Sequence, residues 1–150
     1  MRNLKNILLS LIIAFSTSSF SEVAEVYQWK AFPGKSMEMM ESMLKAAEIH
    51  EKQGAKVAID VHNVGSTQLV NYVLRWDDSK SYAASKDIQA SSDEWVEFWA
   101  EANQNPSGEM MASFSANNLD QSRKASDFDG SYVYSVNVWK VETGKDMELI

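Results

Sequence analysis

Apolar and polar residues alternate through 23–32, with Val26, Gln28, Lys30 and Phe32 on one side and Tyr27, Trp29 and Ala31 on the other. A period of two is that of a strand, and Pro33-Gly34 ends it. The period then lengthens over 35–53, where Met37, Met40, Met43, Leu44 and Ala47 make a helical stripe. Ser36 is placed to cap that helix and Gly54 to stop it in a left-handed turn, while Met39 stands where a capping box would need Glu or Gln. Alternation returns at Val57, Ile59 and Val61, set against Ala58, Asp60 and His62. After a polar turn at 63–67 it resumes over 68–76, with Val70, Tyr72, Leu74 and Trp76 opposite Leu69, Asn71, Val73 and Arg75. These two strands are expected to pair as a hairpin.

Asp77-Asp78-Ser79 opens a short helix to about position 90, and Ser91-Ser92-Asp93-Glu94 is a capping-box pattern leading a further helix over 95–103. Trp95, Phe98, Trp99 and Ala102 share that helix's buried side. Pro106 and Gly108 break it, and 110–116 reads as a closing strand.

The pattern then begins again. Shifted by 110 positions, VYQWKAFPGKSME at 26–38 reappears as VNVWKVETGKDME at 136–148, with seven identities in thirteen, including Trp29/Trp139 and Lys30/Lys140. That is the mark of a tandem repeat. The expected organisation is a signal peptide at 1–21, one domain at 22–119, a polar linker at 120–131, and at 132–150 the first strand and first helical turn of a second, incomplete repeat. The signal peptide follows from Arg2 and Lys5, a short, largely apolar stretch at 7–15 and small residues at Ser19 and Ser21. The protein is therefore expected to be exported, periplasmic or secreted, with no membrane attachment once cleaved.

One repeat runs strand, helix, strand, strand, helix, strand. This is the split βαβ order of a ferredoxin-like α+β fold, an antiparallel sheet with helices on one face and an extra strand at the C-terminus. The bare face needs a second copy, from a homodimer or from an intramolecular pseudo-dimer.

Charge narrows the partners. Removing 1–21 leaves 12 Lys and Arg against 21 Asp and Glu, so 12 − 21 gives a formal charge of −9. Nucleic acid binding, which needs a basic surface, is not expected. With no cysteine there is no disulfide, and packing alone must hold the fold.

The first strand running into Pro33-Gly34-Lys35, the long first helix, the hairpin with Leu74-Arg75-Trp76 and the helix opening Ser92-Asp93-Glu94-Trp95 together resemble the dimeric α+β barrels. That superfamily includes antibiotic-biosynthesis-monooxygenase domains and NIPSNAP-like proteins, and the likeness spans 23–119. It implies a small-molecule site, and among its members are cofactor-free oxygenases, haem-degrading enzymes and lyases. The Asn, Trp and His set of the haem-degrading branch has no match here, and no cofactor is expected.

Candidate chemistry lies on the hairpin. Asp60 and His62 share a strand side, and Asn71 and Arg75 lie near them on the next strand. If that side lines the barrel between two sheets, the four make a polar cluster in which desolvation tunes a His or Asp for proton transfer. If it is a subunit interface, they satisfy one another or reach solvent. Trp29, Tyr72 and Trp76 are candidate walls for a planar substrate, or else plain core. Asp60 and His62 lack the further ligands of a metal site, so no metal is assigned. His50 and Glu51, adjacent on a helix, read as solvated surface. No nucleophile elbow or phosphate-binding glycine loop is present. The resulting expectation is an exported small-molecule-binding α+β barrel domain, with a cofactor-independent monooxygenase as the alternative.

Overall fold

The computed structural model describes residues 21–62, 68–120, 122 and 124–128. Residues 1–20 of the expected signal peptide, the extra C-terminal strand and the second repeat at 132–150 lie outside the described residues. Strands β1 (Val23–Ala31), β2 (Lys56–Val61), β3 (Leu69–Trp76) and β4 (Gly108–Asn117) form one antiparallel sheet in the order β2-β3-β1-β4. Helix α1 (Ser36–Lys52) joins β1 to β2, while α2 (Ser79–Ala90) and α3 (Asp93–Gln104) join β3 to β4. A 3-10 turn (Ala125–Phe128) follows, anchored by the Ala125 N–H donating to Asp77 Oδ1 at 2.9 Å. Among the described residues no helix is long and apolar enough to cross a membrane.

Alternation sorts the sheet into two faces as the sequence pattern requires. Tyr27, Trp29, Val57, Ile59, Val70, Tyr72, Leu74 and Trp76 all pack toward the helices, meeting Met39, Met43 and Ala46 of α1, Tyr82 of α2 and Trp95 and Phe98 of α3. The opposite face carries Val26, Gln28, Asn71, Val73, Ala58, Asp60, Ala112 and Phe114 in cross-strand register. Gln28 Nε2 donates to Asn71 Oδ1 there, at 3.2 Å.

Two helix ends behave as read. Ser92 Oγ accepts from the Trp95 N–H at 3.2 Å, and Gly54, at φ +93°, turns the chain out of α1 where a side chain would strain. The start of α1 differs. Lys35 occupies the capping position with no side-chain capping bond, its ammonium pairing with Glu38 at 3.1 Å instead, and Ser36 is already helical. The buried stripe of α1 is also rotated: Met39, Met43, Ala46, Ile49 and His50 are inside, whereas Met37 and Leu44 are exposed. Methionines and leucine surround the first turns of this helix, so two neighbouring stripes fit a helical period; docking on the sheet selects the second.

β4 begins at Gly108, two residues before the expected start. This position must be glycine, since a Cβ there would stand 2.7 Å from both the Lys30 carbonyl oxygen and Met39 Sδ. The strand then bulges, because Gln28 pairs with Ala112 but Trp29 pairs with Met110. That extra residue, Met111, turns Met110 to the helix side beside Trp29.

Candidate functional site

Helix α3 is amphipathic, yet none of its residues is fully buried: Trp95, Phe98 and Ala102 are half-covered and Trp99 is exposed. The expected buried side exists, but it touches the core only through Trp95 and Phe98 and stays half-covered. Between it and the strands lies a cavity of about 380 Å³. Its floor is the sheet, through Tyr27, Trp29, Tyr72 and Leu74, and one wall is α1, through Met39, Met43, Ala46 and His50. Trp95, Phe98 and Trp99 make the other wall, and the segment from Pro106 to Met110 borders it where α3 passes into β4. The Trp95 and Phe98 rings stack at 5.2 Å, with Trp99 edge-on to both. Exposed ion pairs, Lys45 to Glu101 at 3.3 Å and Lys52 to Glu94 at 2.6 Å, span α1 and α3; in water such pairs contribute little.

The buried polar groups of the lining, His50 and Tyr72, stand together, while Ser42, Asn103, Ser107 and Glu109 complete its polar edge. His50 Nδ1 lies 2.8 Å from Tyr72 Oη and its Nε2 lies 2.8 Å from Gln89 Nε2, with the Trp95 ring 4.4 Å away. Burial lowers its pKa to about 4; the Lys86 charge adds to this, and the Ala46 carbonyl and Glu25 offset part. The imidazole is therefore neutral at pH 7. Both ring nitrogens are engaged, which leaves neither for a metal.

A second group supports the floor. Glu25 is buried on the helix side of β1 and accepts from Tyr27 Oη at 2.7 Å, Tyr82 Oη at 3.0 Å and Lys86 Nζ at 2.6 Å. Burial alone pushes its carboxyl up, but bonds from Lys86 and Tyr27 outweigh that and hold it below the usual carboxylate range. Burial, and then the hydrogen bond to Glu25, raises the Tyr27 phenol; burial, and then the Glu51 charge, raises that of Tyr72. Both hydroxyls stay protonated.

Trp29 and Tyr72, two of the candidate pocket walls, line this cavity. Trp76 does not: it is 2% exposed, edge-on to Tyr82 at 5.0 Å, under the Lys86 ammonium. Asp60 and Asn71 are brought together as a cross-strand pair, but on the face away from the helices. Arg75 lies opposite Lys56 and binds Glu22 Oε1 at 2.8 Å; His62 follows β2, its N–H reaching the Leu69 carbonyl at 3.4 Å. None of these four touches the cavity. His50, read from the sequence as solvated surface, is instead the buried polar centre of the site; that reading is corrected by its 5% exposure. The signal was available, since Met39, Met43 and Ala46 continue at helical spacing to position 50.

Neither protein-family models nor curated proteins give a match. Solved structures do. A NIPSNAP domain protein from Burkholderia xenovorans superposes with a TM-score of 0.51 at 16% identity, covering 65% of this chain and 92% of that one. A NIPSNAP family protein from Agrobacterium tumefaciens gives 0.50 at 14% identity, covering 65% and 91%. The chain shares the ferredoxin-like α+β fold of these proteins. A protein from Chloroflexus aurantiacus described as an antibiotic biosynthesis monooxygenase superposes more loosely, at 0.48 and 14% identity over 66% of this chain and 94% of that one. Identities this low establish the fold and leave activity to the site.

Proposed function

We propose that this chain is an exported domain that binds a small, mainly apolar, planar molecule between its sheet and helices α1 and α3. The observation that carries this is the cavity of about 380 Å³ walled by Tyr27, Trp29, Tyr72, Trp95, Phe98 and Trp99, with polar groups confined mainly to the His50 side and the rim. Its size lies in the range of small-molecule sites, about 300–1,000 Å³, and a predominantly aromatic lining with few polar groups is the usual composition of one. Export rests on the N-terminal sequence pattern alone.

Naphthalene is a suitable probe, because the three indoles around the cavity report it. Saturable quenching of tryptophan fluorescence is expected, and Ala102→Phe, which fills the cavity beside α3, is expected to weaken binding by at least about tenfold with the fold intact. No saturation in the wild-type protein sinks the reading. Native mass spectrometry of protein from cells supplies the natural occupant.

A specific observation favours a catalytic second reading. A neutral imidazole bonded to a protonated phenol at the wall of an aromatic cavity is a competent proton-transfer pair for a cofactor-independent oxygenase. Oxygen uptake when the co-purified molecule is returned to stripped protein selects the enzyme; none leaves the binding domain.

The exposed part of the face away from the helices, around Phe114 at 53%, is proposed to be covered by a second copy of this fold, as the sequence repeat of β1 suggests. Sedimentation of the full chain is expected at twice the monomer mass, falling to monomer for Phe114→Glu. A monomeric wild type would reject a homodimer.

A further inference from the structure

Gln89, His50 and Tyr72 form a chain of hydrogen bonds whose direction can be worked out atom by atom. The nitrogen of the Gln89 carboxamide, 2.8 Å from His50 Nε2, carries only protons to give, so Nε2 accepts. A neutral imidazole has one N–H, which is then on Nδ1. Nδ1 lies 2.8 Å from Tyr72 Oη, so the phenol oxygen accepts there and its own hydrogen is directed elsewhere. Among the described residues no acceptor is bonded to that hydrogen. Tyr72 is 5% exposed and lines the cavity, and a buried hydroxyl without an acceptor is costly.

We infer that Tyr72 is a hydrogen-bond donor reserved for the ligand, held in that role by His50 and Gln89, and that the cavity selects planar molecules carrying an acceptor oxygen, a ketone or similar carbonyl. The inference rests on the cavity reading above and deepens it. Tyr27 is the other phenol on the floor, paired across the strands with Tyr72, but its hydrogen is already given to Glu25 at 2.7 Å. The two phenols are thus unequal: one is spent and one is open. His50 acts as a positioning residue, because it contributes its proton to Tyr72 and none to the ligand.

Two probes of similar shape separate this inference from simple apolar binding: 1-tetralone, which has a carbonyl, and naphthalene, which has none. In the wild-type protein tetralone is expected to bind tighter, and Tyr72→Phe, which keeps the ring on the cavity floor, to weaken tetralone about tenfold more than it weakens naphthalene, the worth of one hydrogen bond. The bound carbonyl stretch should shift to lower wavenumber in the wild type and not in Tyr72→Phe. Nitrogen NMR of the ligand-free protein should show His50 protonated on Nδ1, a readout independent of any substitution. Equal loss of both probes in Tyr72→Phe, no change in either, or a proton on Nε2 overturns the assignment. Failure of both probes to bind the wild type overturns the cavity reading, and this one with it.

Discussion

Trp76→Ala is expected to cost about 3–5 kcal/mol, the range for deleting a buried large aromatic, and to leave the cavity's preference for planar molecules in whatever fraction remains folded. The indole is 2% exposed at the end of β3, with Leu74 beside it on the same face at 1%. It meets Tyr82 of α2 edge-on at 5.0 Å and lies 5.4 Å from the Lys86 ammonium, so it seats α2 on the sheet. Losing it leaves a void that close-packed neighbours refill only in part. It also loosens Tyr82 and Lys86, two of the three donors to buried Glu25. Trp76→Phe should cost much less, about 1–2 kcal/mol, because the indole N–H has no partner to lose among the described residues. Urea unfolding of both variants checks this. If Trp76→Ala unfolds within about 1 kcal/mol of wild type while naphthalene affinity collapses, Trp76 is a ligand wall and not a core residue.

Much of this arrangement is legible in the chain itself. The period-two pattern at Val70, Tyr72, Leu74 and Trp76 names the inner face of β3, and Ser92 and Gly54 mark helix ends because their chemistry is local. What the pattern does not carry is distance. The cavity exists because α3 stands off the sheet, because Gly108 lets β4 start tight against Lys30 and Met39, and because the bulge at Met111 turns Met110 inward. Each depends on contacts between elements far apart in sequence. Polarity misdirects in the same way: His50 reads as a surface group, yet it and Glu25 are buried because partners from other elements satisfy them. Asp60 and Asn71, which invite a catalytic reading by their side-by-side placement, share the face that the helices leave bare.

Those buried partners make stability depend on pH in a defined window. His50 has a pKa of about 4 in the fold against an ordinary 6.5, so the folded chain binds fewer protons than the unfolded one between those values. Stability is therefore full above about pH 6.5, falls as pH drops toward 4, and loses no more from this group below it; the total is at most about 3 kcal/mol. Protonation has a visible structural cost. A second N–H on Nε2 would point at the Gln89 amide nitrogen, also a donor, so the carboxamide must turn over or the contact must open. Glu25 acts in a lower window, since its carboxyl is held below the ordinary value of 4.5 and its contribution is lost only as pH falls through that depressed value. His50→Gln separates the two. Urea midpoints between pH 7 and 4 are expected to fall steeply for the wild type and shallowly for the variant, with both falling further in stronger acid. Parallel curves across that upper window would mean that His50 meets solvent, and that the hydrogen-bond chain through Tyr72 does not hold in solution.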